Sequence, residues 1–197
     1  MTQSPPPPAR PGGQALLPSQ IRIGPEEAGK ALPGPQEQDI ESISIRLIGG
    51  QPWYQFYARN ISSAYYISAI DGKLDQTQDE HYAEEIASAY LGGVSVKKTG
   101  YLTAYNSEYI AIFRLLPVYR FDVEDGKGTR VYVSTLTGTV TRATDNGKQF
   151  EADVFSLFHK YAFIPDRSVR NVALMFTTSA IALVALLGVI LFWKTRG

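Results

Sequence analysis

Residues 66–74 read YISAIDGKL and residues 132–140 read YVSTLTGTV. The stretches align without a gap at an offset of 66 residues, bringing Asp71-Gly72 onto Thr137-Gly138. Each reads as a strand of alternating apolar and polar side chains running into a glycine turn. At the same offset Trp53 falls on Tyr119 and Gln55 on Phe121, each in an alternating stretch after Pro52 or Pro117. Such alternation suits an antiparallel sheet, so each unit is expected to run strand, loop, strand, turn. In the second unit Val118–Phe121 leads through the turn-rich Glu124-Asp125-Gly126-Lys127-Gly128 into Arg130–Leu136.

A short helix is expected before each set of strands. Pro25–Leu32 opens with proline and two acids, which suit a helix N-terminus. Asp79–Tyr90 stops at Gly92-Gly93, and Tyr82, Ile86 and Tyr90, spaced by four, predict one buried stripe. A further strand is expected before each hairpin, Ile40–Leu47 in the first unit and Ile110–Leu116 in the second. The expected fold class is α+β: two tandem units of helix plus three-stranded antiparallel meander, over 21–78 and 79–145.

Outside these units the composition changes sharply. Nine of the 12 prolines lie within the first 35 residues, and residues 1–20 read as a disordered, proline-rich tail. Residues 171–193 carry no charge, and as a helix would extend roughly 35 Å, enough for a bilayer core of about 30 Å. Thr177, Thr178 and Ser179 are compatible with that span because their hydroxyls can bond back to carbonyls a turn earlier. Trp193 stands where an interfacial aromatic belongs, with Lys194 and Arg196 behind it in a short basic tail, 194–197. These three residues are the expected membrane-anchoring set. Between body and span, 146–170 is expected to be an amphipathic juxtamembrane segment. It places Phe150, Val154, Phe158, Tyr161 and Ala162 on one face and ends at Pro165.

Charge narrows the function. The chain has 19 basic and 19 acidic residues; without Lys194 and Arg196 the remainder holds 17 bases against 19 acids, a net −2. Such a body is not a nucleic-acid binder. Absence of cysteine removes disulfides, thiol nucleophiles and Cys-based zinc sites. Arg167 and Arg170 before the span balance Lys194 and Arg196 after it, so charge alone sets no orientation. The first 20 residues hold no apolar run of signal-peptide length. Read literally, that leaves the body in the cytoplasm; the alternative is an upstream helix outside this chain.

Leu116-Pro117-Val118-Tyr119-Arg120-Phe121 followed by Val131–Val140 resembles the hairpin of PepSY domains. The similarity is to bacterial membrane proteins with a PepSY-associated transmembrane helix. Ser134 stands where that pattern commonly has Asp, and Thr139 where it commonly has Glu. Phe155–Phe163 resembles the family's histidine-containing lead into a membrane helix, and Ala185–Lys194 its usual end. The resemblance covers roughly residues 21–196 and departs from the family in having one helix where several are usual. It implies a body outside the cytoplasm of a bacterial inner membrane, a cytoplasmic C-terminus and an upstream helix. It further implies a non-catalytic binding or regulatory module of the cell envelope, in contact with membrane lipid and a protein partner.

Two alternatives come with it. Some family members are haem-carrying reductases of iron and siderophore uptake, which makes His159 a candidate cofactor ligand. With two histidines in the whole chain, haem is expected only within a larger assembly, and otherwise no cofactor. The likeness of PepSY domains to protease propeptides implies a protease-inhibitory module. Other constellations carry less. His81 beside Asp79, Glu80, Glu84 and Glu85 lacks a second histidine at metal-binding spacing and reads as a solvated helix face. Gly126-Lys127-Gly128 lacks the surroundings of a phosphate loop, and no G-x-S-x-G elbow occurs. No catalytic residue and no metal site is expected. The 12 tyrosines read chiefly as amphipathic core and rim residues, and an open sheet edge could accept a peptide strand.

Overall fold

The computed structural model describes residues 15–34, 40–59, 63–159 and 163–195, with the backbone alone for 158 and 159. The chain divides into an N-terminal body, Met1–Asp145, and a C-terminal helical unit, Asn146–Gly197. The body begins with helix α1 (Pro25–Gly29), then strands β1 (Ile40–Ile48), β2 (Gln51–Ala58) and β3 (Tyr65–Ser68). Helix α2 (Gln78–Tyr90) follows, and then β4 (Lys97–Leu102), β5 (Val118–Asp122), β6 (Arg130–Ser134) and β7 (Thr139–Thr144). Strands β1-β2-β3 form one antiparallel sheet, and β4-β5-β6-β7 form a second.

Strand β2 is buried on both faces, its successive side chains pointing alternately into two cores. Tyr54 and Phe56 pack with Ala28 and Leu32, from α1 and the turn after it, together with Ile67 and Ala69. Trp53 and Tyr66 point the other way, into a core with Tyr82, Ala83, Ile86 and Ala87 of α2. The same core takes in Tyr119, Phe121, Val131 and Val133 of the second sheet, so α2 serves both sheets at once. Each large side chain removed from water here contributes about 1.5–3 kcal/mol. The far face of the second sheet, Val118 and Tyr132, is covered by Tyr109, Phe113 and Leu116 from the loop before β5.

The two turns that ended the aligned stretches have the same construction. The Gly72 N–H donates to the Ser68 carbonyl at 3.0 Å, and the Gly138 N–H to the Ser134 carbonyl at 2.9 Å. Both glycines have positive φ, +74° and +66°, a region that costs other residues a clash at Cβ. The strand leaving the first turn is only the bridge Ile67–Leu74, whereas the second continues as β7.

Several expectations need correction. Ile110–Leu116 is not a strand: it forms a short 3-10 turn, Ala111–Phe113, and reverses at Arg114, whose φ is +61°. The extra strand of the second sheet is β4, which pairs with β5 across an irregularity between Lys98 and Gly100. The 66-residue offset holds for β3 and β6 but not for β2 and β5. Tyr54 pairs with Ile67 and Tyr119 with Val133, so Tyr54, not Trp53, occupies the register of Tyr119. One extra residue between β5 and β6 causes the slip, and a one-residue slip moves every side chain to the opposite face. Helix α1 is shorter than expected, its last residues forming a turn. Tyr90 is 45% exposed and leaves the buried stripe, which instead runs through Asp79, Tyr82, Ala83, Ile86 and Ala87.

The C-terminal unit consists of α3 (Asn146–His159) and α4 (Arg167–Thr195). Helix α3 is described as far as His159, and Pro165 stands in a non-helical stretch. Helix α4 starts earlier than expected because Asp166 caps it, accepting the Ser168 and Val169 N–H groups at 2.8 and 2.9 Å. The hydroxyls of Thr177 and Thr178 donate to the carbonyls of Ala173 and Leu174 at 2.6 and 2.8 Å. None of α4's residues is buried within the protein, and its length and composition allow it to cross a membrane.

Candidate functional site

The chemically densest place in the body lies where the two sheets meet the start of α2. Asp79, in the first turn of that helix, is 1% exposed. Its Oδ1 accepts the Tyr66 hydroxyl at 2.7 Å, and its Oδ2 accepts Ser63 at 3.1 Å and Tyr119 at 2.9 Å. A buried carboxylate is costly unless hydrogen-bonded, and hydroxyls from β3, from β5 and from the loop before β3 meet that requirement. The network continues outward: Gln55 donates through Nε2 to the Tyr66 oxygen at 2.7 Å and to the Thr135 carbonyl at 3.0 Å. Arg46 donates to Gln55 Oε1 at 2.9 Å, and its guanidinium lies 5.5 Å from the centre of the Tyr82 ring.

The phenols around Asp79 are held protonated. Burial, and then the Asp79 charge, push the Tyr66 and Tyr119 hydroxyls far above the ordinary tyrosine value. Tyr101, whose ring centre is 4.6 Å from that of Tyr119, is pushed up to about 12, by burial first and by Asp79 second. Tyr66 and Tyr119 thus act as hydrogen-bond donors to Asp79 near neutral pH.

A second polar cluster sits on the far face of the second sheet. Arg130 grips Glu108 with two hydrogen bonds, Nε to Oε1 at 2.7 Å and Nη2 to Oε2 at 2.5 Å, while Tyr132 donates to Oε1. Arg142 donates to the Glu108 carbonyl. Burial opposes the Glu108 charge, but hydrogen bonds from Arg130 and Tyr132 and the Arg130 charge outweigh it and lower its pKa. The pair fixes the loop before β5 onto β6.

Two clefts flank the exposed side of α2. One, of about 470 Å³, opens beside the β1–β2 turn and is lined by Gln51, Trp53, Gln78, His81, Glu84 and Glu85. The Gly49 N–H donates to Glu85 Oε1 at 2.6 Å at its edge. The other, of about 460 Å³, lies beyond His81 and adds Glu80 and Tyr119. Lys98 pairs with Glu80 at 2.5 Å and stands 5.4 Å from the Tyr119 ring centre. His81 is therefore an exposed residue on the ridge between two polar clefts. Among the described residues no three His, Asp or Glu side chains converge in a way that could hold a metal.

Of the anchoring residues, Trp193 and Lys194 fall in the last turns of α4, both exposed; Arg196 lies outside the described residues. His159 is the last residue of α3, and its side chain lies outside the described residues, as do Tyr161 and Ala162. Asp79, expected with His81 on a solvated helix face, is instead buried because three hydroxyls converge on its carboxylate, while His81 is exposed as expected; Glu108 and Arg130 carry no local sequence signal. A signal existed in the frequency of tyrosine, since buried phenols need acceptors, but no local spacing points to which acid serves them. No family model, curated protein or solved structure matches the chain.

Proposed function

We propose that this protein is a non-catalytic, membrane-anchored PepSY-type binding and regulatory module of the bacterial cell envelope. Its two sheets are two tandem PepSY-like units. The body lies outside the inner membrane, and the short basic tail after α4 lies in the cytoplasm. What supports the tandem reading is the matched pair of turns, Ser68–Gly72 and Ser134–Gly138, each following a strand that pairs with its predecessor in the same sense. What supports a binding role over a catalytic one is the use of the buried polar groups. Asp79 and Glu108 are committed to hydroxyls and a guanidinium inside the body, leaving the clefts beside His81 as contact surface. What supports anchoring is α4, apolar and unburied along its length.

The test uses the absence of native cysteine. A single cysteine at Glu124, on the exposed β5–β6 hairpin, should react with a membrane-impermeant maleimide in intact spheroplasts. A cysteine added after Gly197 should react only after lysis. The reverse pattern would overturn the orientation. The purified protein should also be colourless; a Soret band lost in His159→Ala would replace this reading with the haem-carrying one. Inhibition of an envelope metalloprotease by the body would move it to the protease-inhibitory one.

A further inference from the structure

We propose that α3 is a lipid-binding helix lying in the headgroup layer of the membrane that α4 crosses, with Phe150, Val154 and Leu157 as its lipid-facing residues. The proposal rests on the reading of α4 as a membrane span. Phe150, Val154 and Leu157 recur at i, i+4 and i+7, which places them on one side of the helix. Gln149, Ala152 and Ser156 occupy the opposite arc. Phe150 is 69% exposed and Leu157 40% exposed. Phe155, 60% exposed, lies off this side, so the proposed face is carried by Phe150, Val154 and Leu157 alone. Large apolar side chains gathered on one side of a helix and open to solvent mark an interaction surface.

The occupant follows from the length of the connection. Seven residues, 160–166, separate the end of α3 from the start of α4. A chain of that length reaches at most about 25 Å even when fully extended. The uncharged stretch of α4 begins at Asn171, so Arg167 and Arg170 fall at headgroup level, and α3 is tethered to that same layer. Within that reach the acyl boundary of the bilayer is an apolar medium open to this face. Phe163, in the connection itself, is exposed as well.

The charges of α3 define the kind of lipid surface. Lys148 stands against Glu151 and Asp153, so the helix has no basic face to hold anionic headgroups. Its insertion is driven by burial of apolar area and should be as strong on zwitterionic lipid as on anionic lipid.

Spin labels test this directly. The full chain, carrying one cysteine at a time at 152, 154, 157 or 182, is labelled with a nitroxide and reconstituted into phosphatidylcholine vesicles. Labels at 154 and 157 should show an oxygen-to-nickel-chelate accessibility ratio several-fold higher than the label at 152. That difference should persist when anionic lipid is added, and the label at 182, within α4, should read deeper still. Labels at 154 and 157 that meet the water-soluble chelate as freely as 152, or that are shielded from both reagents by protein, overturn the proposal while 182 still reports the span. An aqueous reading at 182 overturns the membrane span and this inference with it.

Discussion

Tyr66 on β3 donates its hydroxyl to Asp79 at 2.7 Å, tying the last strand of the first sheet to the helix shared with the second. Because Tyr119 of β5 donates to the other carboxylate oxygen, one side chain joins three elements. Asp79→Ala would leave three hydroxyls without their acceptor, those of Tyr66 and Tyr119 on buried side chains. The expected loss of stability is about 3 kcal/mol, with a smaller loss for Asp79→Asn, which keeps an acceptor oxygen. Urea denaturation of the three proteins checks this; an unchanged midpoint in Asp79→Ala would overturn the role given to the carboxylate.

Glu108 should govern acid stability. Its pKa lies below the ordinary glutamate value in the folded protein, so its contribution is present above the unfolded value of about 4 and is lost as pH falls through the folded one. Glu108→Gln should weaken the body by about 3 kcal/mol near neutral pH, because Arg130 stays largely buried without its counter-charge. It should also flatten the acid limb of the stability curve. Thermal melts across the acid range measure both.

Alkaline pH should act with the opposite sign. Burial, and then the hydrogen bond to Glu108, push Tyr132 up to about 12, and Tyr101 is pushed as high. The folded body retains these protons while the unfolded chain releases them from about pH 10. The stabilisation is therefore complete below pH 10 and declines as pH rises from there through about 12. Ultraviolet titration should show a late group of phenols whose ionisation coincides with unfolding, and Tyr132→Phe should reduce that group.

The turn glycines should rank by what surrounds them. A Cβ on Gly138 would sit 2.5 Å from the Tyr82 hydroxyl, one on Gly72 would sit 3.2 Å from Ile23 Cδ1, and one on Gly126 would meet open space. All three have positive φ. Alanine should cost about 1 kcal/mol at Gly126 from backbone strain alone, with Gly72→Ala worse and Gly138→Ala worst. Equal losses at all three would mean that Tyr82 moves aside without cost.

The elements that announced themselves in the sequence are those whose cause is local. The glycine turns, the strands of alternating Tyr, Val and Ile, the stop at Gly92-Gly93 and the uncharged span each follow from neighbouring residues. Strand β4, KKTGYL, carries two lysines and a glycine, and becomes a strand only because β5 lies beside it. Ile110–Leu116 has strand-like composition, yet Tyr109 is drawn into the core and Phe113 stacks on it at 5.1 Å, which bends the segment into a turn. Asp79 resembled an ordinary helix N-terminal acid, and its role depends on Tyr119, 40 positions away. Distant pairing of that kind has no local signature.

The sharing of α2 sets a schedule for synthesis at the ribosome. The first sheet and α2 emerge together and can begin to associate. The surface of α2 destined for Tyr119, Phe121, Val131 and Val133 stays uncovered until those residues have been made. Val133 lies 43 positions beyond the end of α2 (133 − 90), a delay on the order of several seconds at ordinary translation rates. During that interval the nascent chain presents one half of a core whose other half has yet to be made, an apolar face open to the solvent.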